Sequence, residues 1–241
     1  EEIQHIFERW NKGKLKSYLI EITAEILKRR DEETGEYMVD VILDRAGQKG
    51  TGKWTSMEGL DIGSAIPTIA ESVFARYISA IKDERVQASK VFNVESTLEI
   101  NDKEAFINDL EQAVYAAKIC CYAQGFELLK EAAKENDWTL NFGEIAMIWR
   151  EGCIIRADFL EEIKKAYDEE AVPNLMMTKK FSNELLAAQK AWRKIAANII
   201  ESGIYAPAML STIAYFDGYR SARTSANLIQ AQRDYFGAHT Y

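Results

Sequence analysis

Proline is scarce in this chain, three residues in 241, and glycine is modest at 13. A protein of many short strands needs turn residues at close intervals, so the shortage argues for long helices. No segment alternates apolar and polar residues for long enough to read as a half-buried strand. Cysteine is as sparse: Cys120, Cys121 and Cys153 are an odd set with two neighbours, giving neither a disulfide framework nor metal-ligand spacing. They read as small apolar residues of helix interiors in a reducing compartment. Positive charge is in deficit, 30 Lys and Arg against 38 Asp and Glu, for a net charge of −8. That excludes a general nucleic-acid or membrane-surface binder, which needs a basic face, and any anionic ligand must be held by a local basic cluster. No apolar run is long enough to span a bilayer and no leader pattern is visible, so a cytoplasmic protein is expected. The chain opens on Glu1, inside an amphipathic pattern and without an initiator methionine, which makes a piece of something longer the expectation.

What is present is helical periodicity. Ile3, Ile6, Phe7 and Trp10 fall at i, i+3, i+4, i+7, one buried helix face, and Asn11 to Gly13 ends it. A second helix is expected from Lys14 to Arg30, closed by the solvated run Asp31 to Glu36. Tyr37 to Leu43 could pass as a short strand. Ser56 to Gly63 reads as a short helix, and Pro67 suits the first turn of a longer one with the stripe Ile69, Val73, Tyr77 and Ile81. Lys82 to Arg85 reads as exposed charge, and Val91 to Asn101 as an irregular hinge.

The strongest element is Lys103 to Ala133, where Phe106, Leu110, Ala113, Ala117, Cys120, Gln124 and Leu128 form one stripe and Ile107, Val114, Cys121 and Leu128 another. A helix apolar around so much of its circumference is a buried spine. Further helices are expected at Phe142 to Trp149, Ile155 to Tyr167, Lys179 to Ser202, Ala208 to Arg220 and Ala226 to Phe236. The class is all-α. A weak echo pairs Glu21 to Lys28 and Gly47 to Trp54 with Gln124 to Lys130 and Trp149 to Arg156, which suggests two tandem helical units, about 1–100 and 101–241, around the spine.

The stretch that could carry chemistry is Asp44 to Thr55, DRAGQKGTGKWT. Gly47, Gly50 and Gly52 allow positive φ and close backbone approach, and they stand among Lys49, Thr51 and Lys53. Amides, ammonium groups and a hydroxyl can converge there on a phosphate or carboxylate. Gly47 to Lys53 also satisfies most of the P-loop pattern, but Trp54 stands where a magnesium-holding hydroxyl is required, and no parallel sheet accompanies it. A glycine-rich turn with no ligand is the other reading.

Arg76, Arg150, Arg156, Arg193 and Arg220 lie on or beside apolar faces, where arginines more often snorkel or pair with carboxylates than bind ligands. Periodicity does not single one out. The tryptophans read as core, except Trp54, expected to anchor the cradle's exit. Neither His5 nor His239 has a partner at a spacing that names a triad. By spacing, Arg233 to Tyr241 is ordinary helix-end packing.

Ala46 to Thr55 resembles the signature of the helical C-terminal domain of 6-phosphogluconate dehydrogenase. Ser17 to Thr23, Val73 to Tyr77 with Lys82 to Ser89, Trp149 to Arg156, and Leu228 to Tyr241 resemble the same family in the same order, and the resemblance covers essentially the whole chain. It implies NADP-dependent oxidative decarboxylation of 6-phosphogluconate to ribulose 5-phosphate in a cytoplasmic homodimer. It implies that Lys49, Thr51 and Arg76 hold the substrate, chiefly its phosphate, and that Arg233 and His239 reach into the partner subunit's site, against the plain reading of the tail.

The departures are specific. No G-x-G-x-x-G following a strand is present, so NADP would be held mainly by a dinucleotide domain outside this chain. The family's catalytic lysine and glutamate accompany a His-Asn pair, and neither histidine here precedes asparagine. The chain stops at Tyr241, where family members continue into a tail that embraces the partner. The expectation is therefore an isolated C-terminal domain, catalytically inactive alone, with no catalytic residue of its own and no metal. The competing hypothesis is a stand-alone helical scaffold or oligomerisation module.

Overall fold

The computed structural model describes residues 1–95 and 97–241. Among them run twelve α-helices: α1 Glu2–Trp10, α2 Tyr18–Lys28, α3 Met38–Val41, α4 Thr51–Asp61, α5 Pro67–Ala80, α6 Lys82–Val91, α7 Lys103–Glu135, α8 Phe142–Ile148, α9 Phe159–Glu169, α10 Lys179–Glu201, α11 Pro207–Tyr219 and α12 Ala226–Gly237. Only two isolated bridges, Ser17 with Ala157 and Arg30 with Tyr37, represent β pairing among the described residues. The all-α expectation holds.

The spine α7 spans 33 residues, about 50 Å at 1.5 Å per residue. Asp102 starts it by accepting a hydrogen bond from the Ala105 amide at 3.0 Å, a side-chain cap that satisfies an orphan N–H. Ala113, Ala116, Ile119, Cys120, Ala123 and Gln124 are wholly buried. Helix α10 lies along it, and all six residues of its expected stripe, Phe181, Leu185, Ala188, Trp192, Ile195 and Ile199, are in the core. Each large apolar side chain fully removed from water contributes about 1.5–3 kcal/mol. An aromatic cluster completes this end, with Phe126 between Phe142, Trp149 and Tyr167 at centroid distances of 5.3–5.8 Å.

The second stripe of α7 behaves differently. Its Ile107 is buried, but Val114, Cys121 and Leu128 are only partly covered and, with Ala117 of the first stripe, line an apolar groove of about 790 Å³ shared with α2, α5 and α11. Lys118 lies on its wall over the ring of Phe159, 4.9 Å from the centroid. Burial pushes the Lys118 ammonium down to about 8.

Several boundaries depart from the sequence reading for local reasons. Helix α2 begins at Tyr18 because Ser17 is extended and its hydroxyl accepts from the Ile20 amide at 3.3 Å. Tyr37 to Leu43 forms one helical turn, α3, rather than a strand; beyond the single Arg30 bridge it has no partner to pair with. The short helix expected from Ser56 starts five residues earlier, inside the cradle. Helix α6 includes the charge run Lys82 to Arg85, and Asp83 and Glu84 in its first turn favour the helix dipole. Helix α9 begins at Phe159 rather than Ile155. Trp138 is exposed, contrary to its core reading. Ser96, within the expected hinge Val91 to Asn101, lies outside the described residues.

Candidate functional site

The cradle is a strand-less segment followed by a helix N-terminus. Leu43 to Lys49 is irregular and exposed. Gly50 then takes φ of 104°, a left-handed conformation that suits glycine, and turns the chain into α4. The amides opening α4 have no side-chain cap. Such a terminus presents free N–H groups and the positive end of the helix dipole to an anion. Gly52 lets α4 approach α5 closely: a Cβ there would lie 2.8 Å from Val73 Cγ2. The Trp54 ring is two-thirds exposed and lies beside Gly50 without burying the exit of the cradle.

Helix α5 supplies the second wall. Ala46 donates its amide to Ser79 Oγ at 2.9 Å, and Arg76 Nη1 donates to the Gly47 carbonyl at 3.0 Å. The five arginines left undistinguished by periodicity now separate. Arg150 pairs with Glu161, and Arg193 and Arg220 both pair with Asp217. Arg156 stacks on the Tyr18 ring at 3.8 Å. Arg76 alone among these five donates into the cradle, and no carboxylate neutralises it among the described residues. The Lys49 ammonium likewise has no ion-pair partner there. Lys49 and Thr51 flank Gly50, so cation, hydroxyl and helix N-terminus fall within three consecutive residues, two to four positions after the Gly47 carbonyl that holds Arg76.

The other two expected site residues are elsewhere. Arg233 donates to Gln230 at 3.1 Å, and the His239 ring stands edge-on to Phe236 at 6.4 Å. The Thr240 amide folds back onto Asp234 at 2.8 Å, with Ala238 and Thr240 at positive φ. No residue of α12 is buried and no other helix packs along it. No contact joins Arg233 or His239 to the cradle among the described residues; the tail instead packs back on the end of its own helix. The groove along α7 is mostly apolar, with Lys118 its one charged lining residue among the described residues. No cluster of three or more His, Cys, Asp or Glu able to hold a metal occurs among the described residues, and no helix of the structure is long and apolar enough to cross a membrane.

The sequence reading missed Ser79, which accepts the Ala46 amide, as part of this site. Ser79 follows Arg76 by three positions on one helix, which places both on a single face. That spacing was a usable signal.

Comparison with known proteins decides the family. Residues 1–241 match the model of the 6-phosphogluconate dehydrogenase C-terminal domain. The chain belongs to the 6-phosphogluconate dehydrogenase family. It is 53% identical over 243 residues to the "6-phosphogluconate dehydrogenase, NADP(+)-dependent, decarboxylating" of Bacillus subtilis, covering all of this chain and 52% of that protein. To the decarboxylating 6-phosphogluconate dehydrogenase 1 of Spinacia oleracea it is 51% identical over 247 residues, again the whole chain but 51% of the relative. The solved 6-phosphogluconate dehydrogenase of Plasmodium falciparum, described in apo form and in complexes with its cofactor NADP+ and its substrate 6-phosphogluconate, superposes with a TM-score of 0.96 at 45% identity. That match covers 99% of this chain and 52% of the Plasmodium one. The chain thus spans about half the length of the relatives it matches, the half that forms the family's helical C-terminal domain.

Proposed function

We propose that this domain is the substrate-binding and dimerisation half of an NADP-dependent 6-phosphogluconate dehydrogenase, which converts 6-phosphogluconate to ribulose 5-phosphate by oxidative decarboxylation in the cytoplasm. The observation that carries the site is Arg76, an unneutralised guanidinium held against the cradle by the Gly47 carbonyl. A sugar phosphate near neutral pH carries about −1.5 to −2 charges and three acceptor oxygens. Arg76 offers its remaining donors in a planar fork, Lys49 a mobile point charge, Thr51 a hydroxyl, and α4 its N-terminal amides. Holding the phosphate fixes one end of the sugar, so the carbon to be oxidised is positioned at the other.

The hydride acceptor is NADP, held mainly outside this chain. No sheet and no strand followed by a glycine-rich turn and helix occur among the described residues, so this domain does not supply the dinucleotide fold. Its part is binding and orientation.

Arg233 and His239 we assign to the partner subunit's site in a homodimer. In support, α12 projects without packing along another helix and exposes Leu228, Ile229, Tyr235 and Phe236. The repeat reading, units 1–100 and 101–241, is kept as a proposal of shared ancestry.

Lys49→Ala and Arg76→Ala in a full-length dehydrogenase carrying this domain test the reading. Each removes a charge-assisted contact of roughly 1.5–3 kcal/mol, and the KM for 6-phosphogluconate should rise about ten- to a hundredfold. Unchanged values in both variants would remove these residues from the site.

A further inference from the structure

The cradle has little of its own to hold it in place. Leu43 to Lys49 is irregular and exposed throughout, and the hydrogen bonds tying it to the body come from the end of α5 and the start of α6. Two were given above, from Ser79 and Arg76. A third, from Ser79 Oγ to the Ala46 carbonyl, is long at 3.4 Å, and the others converge on Asp44. Its Oδ2 accepts from Lys82 Nζ at 3.1 Å and from both terminal nitrogens of Arg85 at 3.2 Å. Arg85 Nη2 also reaches the Asp44 carbonyl at 2.9 Å and the Ser79 carbonyl at 3.2 Å. One guanidinium therefore grips the cradle's first carboxylate, its main chain, and the last turn of the helix that carries Arg76. Lys82 and Arg85 hold the Asp44 carboxyl below the ordinary carboxylate range.

We propose that Arg85, acting through Asp44, is a positioning residue that fixes the distance between Lys49 and Arg76 and so sets the affinity for the substrate's phosphate. The inference rests on the phosphate reading of the cradle. Arg85 itself does not bind the anion, because both of its terminal nitrogens are engaged with Asp44 and Ser79. Lysine cannot replace it: three acceptors around a planar fork need two terminal nitrogens, and an ammonium on a flexible stem reaches them poorly. With the clamp gone, Lys49 sits on an untethered loop, and two charges that were ordered before binding must be ordered during it.

The test uses the full-length dehydrogenase carrying this domain, with Arg85→Gln, Arg85→Lys, Asp44→Asn and Arg76→Gln compared on 6-phosphogluconate and on gluconate, which lacks the phosphate. For Arg85→Gln the expected result is a KM for 6-phosphogluconate raised about tenfold, kcat within twofold, the KM for NADP unmoved, and turnover of gluconate unchanged. Arg85→Lys should fall between wild type and Arg85→Gln. If Arg85→Gln does not fold, Asp44→Asn reads the same quantity with every donor of α6 intact. A KM unchanged in Arg85→Gln and Asp44→Asn while Arg76→Gln raises it overturns the clamp and leaves the phosphate reading standing. An unchanged KM in Arg76→Gln overturns the phosphate reading itself. Equal losses on 6-phosphogluconate and gluconate would show a general structural role and also overturn the proposal.

Discussion

The side chain of Gln124, wholly buried in the middle of α7, caps a different helix: its Oε1 accepts the backbone N–H of Thr68, in the first turn of α5, at 2.9 Å. Its Nε2 returns a hydrogen bond to Thr68 Oγ1, also at 2.9 Å, and Ser211 of α11 meets the same hydroxyl at 3.0 Å. The residue preceding α5, Ile66, has no side-chain acceptor to offer. A polar residue on an otherwise apolar stripe thus joins α7, α5 and α11, and it sets where along the spine the Arg76 helix begins.

Gln124→Leu should therefore destabilise the fold rather than improve its core. It strands the buried Thr68 amide and leaves the Thr68 hydroxyl with Ser211 alone, at a cost of about 1–3 kcal/mol. Urea unfolding of the purified protein checks this; a variant as stable as wild type would show that water or backbone movement replaces the lost partner.

Gly52→Ala should disturb substrate binding through packing alone. The added methyl meets the buried Val73 side chain at 2.8 Å, and Val73 is stiff at χ1. Overpacking of this kind costs about 1–3 kcal/mol, and the outlet for it is separation of the α4 N-terminus from α5. The expected result is a raised KM for 6-phosphogluconate with Lys49, Thr51 and Arg76 all present.

Acid should loosen the junction of α10 and α11 at Asp217. Arg193 in the first place, then Arg220, lower its carboxyl to about 2 from an ordinary value near 3.8. A carboxyl depressed by folding contributes stability that is complete above its unfolded value and fades as pH falls from about 4 toward 2. The group is a third exposed, so the contribution is about 1 kcal/mol. Asp217→Asn should cost that much at pH 7 and only a small part of it near pH 2, where the native carboxyl is half protonated, measured by denaturant unfolding at both.

The isolated chain should make no NADPH from 6-phosphogluconate and NADP, and should sediment as a dimer at micromolar concentration. Turnover by the pure chain would place the dinucleotide site within it. A strict monomer would assign the dimer contacts to segments outside residues 1–241.

The helices were legible where the apolar stripe was continuous, as in α10, whose six stripe residues are all buried. They were less legible where charge dominated. Lys82 to Arg85 resembles solvated surface, yet it starts a helix because its work is electrostatic: Lys82 and Arg85 face a carboxylate 38 and 41 residues away. The glycines, Lys49 and Thr51 pointed to an anion cradle. Nothing in the spacing could choose Arg76 among five arginines, since the choice depends on the carboxylates the fold delivers to Arg150, Arg193 and Arg220 and on the Tyr18 ring it delivers to Arg156. Of the second stripe of α7, Ile107 is buried as read, while Val114, Cys121 and Leu128 line a groove, because periodicity marks a face as apolar without saying what covers it.

Arg76 and Lys49 differ in how much freedom each still has to lose. A long cationic side chain carries about 2 kcal/mol of rotamer entropy, and Arg76, moored to the Gly47 carbonyl, has surrendered part of it before any ligand arrives. Lys49 has surrendered little. On the proposed phosphate reading, an incoming dianion would meet one cation that fixes direction and another that sweeps a volume, a division suited to capturing a mobile ligand quickly and then holding it in a single orientation.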